Sequence, residues 1–313
     1  MRTLFMKNDK KTVLILLVAV LLVLCGIAGY KVFLFVKDKY HYLREHLDNI
    51  EKLVDYESER NYRHYDFDYS WAEENVLVAH AMGAYDGDTY TNSLQAFKYN
   101  YDLGYRVFEV DFDLSSDHYL ICSHDEEYWR QISQSDDSIE YSLENFKSRP
   151  ICGDVNTLDG KDIIDLLNEY PDIYIITDTK YSDEFRTKLQ FTQLLNYAKE
   201  KDLTVMDRII PQIYSRQMFD FVMEIYEFKS MIYTLYQDPD WETDMMALFC
   251  SKTGIGFITM GQNFLDQNRI DIWKRFGIKT AVHTVDEKEK AREFLKTGVT
   301  MVYSNLLMPD DFR

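Results

Sequence analysis

The chain has 313 residues, 46% of them hydrophobic, with a net charge of −18 and four cysteines. That is enough apolar material for one large domain or two small ones, and it excludes both a disordered chain and a disulfide miniprotein. The first 45 residues are net basic, so the remainder is more acidic than the whole chain and excludes nucleic acid as a partner.

A short basic segment, residues 1–11, carries Arg2, Lys7, Lys10 and Lys11. The stretch "VLILLVAVLLVLCGIAGY", Val13 to Tyr30, then contains no charge, and "VFLFV" resumes the run after Lys31. This length spans a bilayer, and no A-x-A cleavage pattern follows. Residues 12–36 are therefore expected to form an uncleaved transmembrane signal anchor. The preceding basic residues favour a cytoplasmic N-terminus, placing the rest of a single-pass protein outside the cell membrane. Residues 37–74 are charged and Tyr-rich and are expected to form a partly helical juxtamembrane stalk. With Cys25 in the anchor, Cys122, Cys152 and Cys250 remain, and no C-x-x-C metal spacing appears.

From residue 75 to 313, short apolar runs alternate with helical patterns. The strand candidates are "VLVAH", "RVFEVDF", "YLICSH", "IYIITDTK", "RIIPQIY", "SMIYTLY", "IGFITM", "KTAVHTV" and "TMVYS". Helix candidates between them include "NSLQAFKYNYDLG", capped by Asn92 or Ser93, "LDGKDIIDLLNEYP", and "VDEKEKAREFLKTG", which stops at Gly298. Such alternation predicts an α/β fold, a (β/α)8 TIM barrel. The ninth run is surplus. Too few residues separate "FEVDF" from "YLICSH" for a parallel crossover, so these two form an antiparallel hairpin. A turn at Ser116-Asp117 would pair Asp113 with Leu120, Asp111 with Cys122 and Glu109 with His124.

Catalytic groups of such barrels collect at the C-terminal ends of the strands. Those ends carry His80, Glu109, Asp111, His124, Asp178 and Lys180. Alternating carboxylates would also suit a solvated strand edge, and Asp178 with Lys180 a local ion pair; their common placement at one barrel mouth favours a site. Three clustered carboxylates repel one another unless a cation joins them, and an all-oxygen set suits a hard divalent metal, Mg²⁺ or Ca²⁺. Two histidines can share general acid and base roles, while Lys180 and a metal neutralise charge at an anionic phosphorus. His283, at another strand end, is expected to have a binding or structural role.

The segments "AHAMG", "YTNSLQAF", "FEVDFDLSSDHYLICSHD" and "IYIITDTK", within about Val76 to Asn305, resemble the glycerophosphodiester phosphodiesterase family of the PI-phospholipase-C-like barrels. The resemblance implies His80 and His124 as catalytic histidines and Lys180 as the site lysine. It implies Glu109, Asp111 and Asp178 as metal ligands; Asn92, retained from the family's Glu-Asn-Thr segment, and His283, from its strand-end position, are expected as substrate-binding positions. The implied substrate is a small phosphodiester, a lipid headgroup or a phosphate-linked envelope polymer.

This chain departs from the family pattern at several positions. Ala81 and Met82 stand where the family has Arg, and Thr91 replaces Glu. Asp178 replaces the usual Glu, and "VHTVD" and "VYSN" replace Trp-Thr-Val-Asn and Thr-Asp. Sphingomyelinase-D-like enzymes share the missing Arg and the Asp, so a sphingomyelinase-D or PI-specific phospholipase is the alternative activity. A catalytically inactive phosphate-binding envelope barrel is the alternative from another class.

Overall fold

The structure, a computed structural model, describes residues 62–237 and 243–312, together with Lys31 and Lys37 as isolated helical positions. Tyr62–Arg313 forms one compact unit. No helix among the described residues is long and apolar enough to cross a membrane. The expected cytoplasmic segment, and the expected anchor and stalk up to residue 61, otherwise lie outside the described residues.

The nine expected strands are present: β1 (Leu77–Ala79), β2 (Val107–Leu114), β3 (Leu120–Cys122), β4 (Tyr174–Asp178), β5 (Ile209–Ile213), β6 (Ile232–Thr234), β7 (Phe257–Gly261), β8 (Lys279–His283) and β9 (Met301–Ser304). Eight run parallel in the order β1-β9-β8-β7-β6-β5-β4-β2, and pairing of β1 with β2 closes the barrel. Helices connect the strands, as parallel neighbours require. Their ends follow local chemistry. Ser93, rather than Asn92, caps Leu94–Asp102 by accepting from Ala96 N, and Asp159 with Asp162 forms a capping box on Gly160–Glu169. Gly298, at φ 106°, terminates Lys288–Thr297 in the left-handed region that glycine adopts without a steric cost.

β2 does two jobs in sequence. Its first five residues pair with β4 as part of the barrel, and Phe112, Asp113 and Leu114 continue beyond it to pair antiparallel with Cys122, Ile121 and Leu120. The hairpin is thus real but shifted by one residue from the expected register: Asp113 faces Ile121, not Leu120. The connection is five residues long, Ser115 to Tyr119. Ser115 Oγ accepts from Tyr119 N at 2.9 Å, and His118 adopts φ 68°. β3 then leaves β2, with Cys122 N donating to Leu158 O at 2.9 Å. His124 consequently reaches the mouth through the turn after β3 and not opposite Glu109 in a ladder.

Residues 62–74, expected to belong to the stalk, pack against the barrel unit instead. Tyr65, Phe67, Tyr69 and Trp71 occur at every second position, which in extended chain puts them on one side. Successive rings lie 5.7, 6.5 and 6.4 Å apart. Trp71 closes the N-terminal end of the barrel against Val78, Val107, Ile176, Ile210, Ile232 and Phe257, and its indole donates to Ser230 Oγ at 2.7 Å. Burying a ring of this size contributes on the order of 3 kcal/mol.

Candidate active site

Glu109 and Asp111 point inward from β2, and Asp178 ends the neighbouring β4, in register with Asp111. One carboxylate oxygen from each lies within 4.8 Å of the others, and all three side chains are buried. Glu109 Oε2 accepts from Ala81 N at 2.7 Å, while Oε1 is buried without a hydrogen-bond partner. Burial and the neighbouring Asp111 and Asp178 push the Glu109 carboxyl well above the usual carboxylate range. Asp178 goes the other way. Its burial is outweighed by Lys180 and by hydrogen bonds from Lys180, Tyr214 and Tyr236, which hold its carboxyl below that range. A concentrated set of oxygen donors with one oxygen left orphaned is the donor chemistry a divalent Mg²⁺ or Ca²⁺ ion takes.

Lys180, at φ 57° just past β4, reaches back with Nζ 2.5 Å from both Asp111 Oδ1 and Asp178 Oδ2. Burial alone would lower its pKa, but Asp111, Asp178 and Glu109 raise it far above the ordinary lysine value, so it remains an ammonium. Asn92 is fully buried. Its Nδ2 donates to Asp111 Oδ2 and its Oδ1 accepts from Asp111 N, both at 2.9 Å. The side chain expected to touch substrate is therefore spent on holding a carboxylate. Asp113 stands outside this cluster, bonded by Tyr181 Oη at 2.5 Å and Tyr141 Oη at 3.2 Å.

The two histidines at the mouth are each fixed through Nδ1. His80 Nδ1 donates to Asn305 Oδ1 at 3.0 Å. The amide orientation is set in turn by Asp286, which accepts from Asn305 Nδ2 at 3.0 Å and Asn305 N at 2.7 Å. His124 Nδ1 meets Asp125 Oδ2 at 2.6 Å. Asp125 is itself held as the cap of helix Glu126–Ser133, accepting from Tyr128 N at 2.7 Å. Against partial burial, that amide and His124 keep the Asp125 carboxyl below its usual range. Each arrangement leaves Nε2 as the nitrogen for chemistry. Tyr90 stands between the imidazoles, its ring edge-on to His80 at 4.8 Å and 6.2 Å from His124.

His80, His124, Glu109, Asp178, Lys180 and His283 line one cavity of about 430 Å³. A larger cleft of about 680 Å³ opens at the opposite end of the barrel beside Trp71 and Tyr174. It has no comparable constellation, and its Arg106 is committed to Asp172 at 2.7 Å. The orienting residues Asp125, Asp286 and Asn305 were the ones sequence reasoning missed as partners. Their sequence signals were adjacency to His124 for Asp125 and, for Asp286 and Asn305, the departing segments "VHTVD" and "VYSN" at and just past the ends of β8 and β9.

A family model described as "Glycerophosphoryl diester phosphodiesterase family" matches residues 83–306, well over half of the chain. The chain belongs to that family. It is a phosphodiesterase of the glycerophosphoryl diester type. The match begins just after His80-Ala81-Met82.

Among solved structures, the chain resembles a glycerophosphodiester phosphodiesterase from Parabacteroides distasonis at 15% identity and a TM-score of 0.59, covering 76% of this chain and 95% of that one. It also resembles one from Thermotoga maritima at 17% identity and a TM-score of 0.56, covering 74% and 94%. A third is an Oleispira antarctica phosphodiesterase in complex with the product sn-glycerol-3-phosphate, at 16% identity and a TM-score of 0.57, covering 74% and 92%. These likenesses establish the shared barrel fold. No curated protein sequence matches the chain.

Proposed function

We propose that this family phosphodiesterase hydrolyses a glycerophosphodiester-like substrate by metal-assisted general acid and base catalysis. The carrying observation is convergence: Glu109, Asp178, one ammonium and two imidazoles, each anchored through Nδ1, line one cavity, and Asp111 completes a buried carboxylate cluster with the first two. Glu109, Asp111 and Asp178 would hold Mg²⁺ or Ca²⁺, and such an ion when bound supplies Lewis-acid neutralisation of phosphate charge. Nε2 of one histidine takes the proton of the attacking hydroxyl, from water or from a neighbouring position on the substrate. Nε2 of the other gives a proton to the leaving alkoxide oxygen. Lys180 is the one lysine or arginine among the described residues lining the cavity, and it adds a fixed positive charge beside the phosphate.

A sphingomyelinase-D or PI-specific phospholipase activity is favoured by one feature. Ala81 and Met82 follow His80, so no cationic side chain flanks it on that turn. Release of glycerol 3-phosphate, as against choline, inositol phosphate or a cyclic phosphate, separates the activities. An inactive binding barrel would have no use for two imidazoles oriented in this way. We further propose that residues 12–36 anchor the protein in the cell membrane by a single pass, with the N-terminus cytoplasmic and the barrel extracytoplasmic. Arg2, Lys7, Lys10 and Lys11 support that orientation. In that setting a lipid headgroup or an envelope polymer is as accessible a substrate as a free diester. A phosphodiester panel assayed with the full chain tests the catalytic reading, which fails if His80→Ala and His124→Ala retain full activity.

A further inference from the structure

The cavity has two unlike sides. Around His80, Tyr90 and His124 lie the groups that move protons. The remaining wall, built from the ends of β5, β6, β8 and β9, carries Gln212, Tyr236, Gln237, His283 and Tyr303, none of them formally charged when His283 is neutral. Burial, with His80 nearby, pushes the His283 imidazole down to about 4, so it stays neutral through the physiological range. Its Nδ1 lies 3.3 Å from Thr259 Oγ1, and its ring packs edge-on to Tyr236 at 5.9 Å and Tyr303 at 6.0 Å. Those contacts fix the ring and leave Nε2 as its free polar atom.

The same wall carries further hydrogen-bonding groups. Tyr303 Oη donates to Gln212 Oε1 at 3.1 Å, and Gln237 Nε2 donates to Tyr236 Oη at 3.1 Å. A wall of neutral, mutually paired donors and acceptors, with His283 Nε2 left free, matches an uncharged group that carries hydroxyls. A site built to hydrogen-bond a hydroxyl discriminates strongly against an analogue lacking it, because its own polar groups are then left unpaired.

Building on the phosphodiesterase reading, we propose that His283 is the specificity-determining residue for the alcohol part of the substrate. It hydrogen-bonds through Nε2 to a hydroxyl of an uncharged, polyol-like substituent and takes no part in proton transfer to or from the phosphate ester. The test compares two probes with the same phosphate, sn-glycerol 3-phosphate and methyl phosphate. Their binding to the purified full chain is measured by titration calorimetry with Mg²⁺ present.

In the wild type, glycerol 3-phosphate binds tighter by about 10-fold or more, the worth of one or two hydrogen bonds. In His283→Phe that ratio falls to about one. Thr259→Val, which removes the hydroxyl holding Nδ1, lowers the ratio several-fold and carries the test should His283→Phe not fold. A ratio unchanged in a folded variant, or a wild type that binds both probes equally, overturns the role of His283 and leaves the catalytic reading standing. A wild type that binds neither probe contradicts both.

Discussion

The lower and upper halves of the barrel interior are made from the same strands and do opposite things. Two residues along β2, Val107 gives way to Glu109; along β4, Ile176 to Asp178; along β5, Ile210 to Gln212; and along β8, Ala281 to His283. The lower layer is closed by Trp71 and packs as a dry apolar core. The upper layer gathers carboxylates, imidazoles and one ammonium that would be costly to bury without one another. One fold therefore keeps stability at one end and chemistry at the other, and substitutions in the two halves should fail in different ways.

The largest expected effect lies in the upper half. His80→Ala and His124→Ala should each lower kcat by about 10²- to 10⁴-fold. The thermal midpoint of each variant should stay close to that of the wild type. A variant that loses activity only by unfolding would erase the contrast.

Trp71→Ala inverts the pattern. Removing a buried indole costs about 3–5 kcal/mol, a drop in midpoint on the order of 10 °C for a domain of this size. The folded fraction should turn over at an almost unchanged rate, read by calorimetry and by initial rates at low temperature.

Asn92→Ala sharpens the boundary between the halves, because its amide grips Asp111 from both sides. Loss of such a supporting contact should weaken metal affinity by about 10- to 100-fold. Titration of Mg²⁺ or Ca²⁺ into wild type and variant checks it.

The smallest effect concerns pH. With its carboxyl raised by burial and by Asp111 and Asp178, Glu109 stays protonated at pH values where an ordinary glutamate is already charged. A metal must displace that proton, so affinity should climb as pH rises through the raised range, by up to about tenfold per unit, and level off above it. Calorimetry in buffers of different ionisation heat counts the proton. The neutral His283, lowered to about 4, should add no limb to a pH–rate profile between pH 5 and 8.

Much of the upper half was legible in the sequence, because period-two alternation and strand ends are local signals. Glu109, Asp111, Asp178, Lys180 and the two histidines could be found that way, and they share one cavity or one carboxylate cluster. What escaped depends on conformations that no periodicity encodes. The left-handed His118 adds a residue to the hairpin turn and shifts its register. Asn92 turns inward at φ 45° to bind Asp111, leaving the cap to Ser93. Asn305 and Asp286 meet only because β8 and β9 are neighbours. In the lower half, the aromatic alternation of Tyr65, Phe67, Tyr69 and Trp71 was a readable signal. It was hidden by Asp66, Asp68 and Ser70 between them, which make the stretch read as polar.

The most direct measurement is the rate of phosphodiester hydrolysis by the full chain with Mg²⁺ or Ca²⁺, before and after EDTA and again after the metal is returned. If the upper half is a metal-assisted catalytic centre, the rate collapses with EDTA and recovers with the metal. A rate indifferent to EDTA, or no hydrolysis of any diester at any metal concentration, would contradict it.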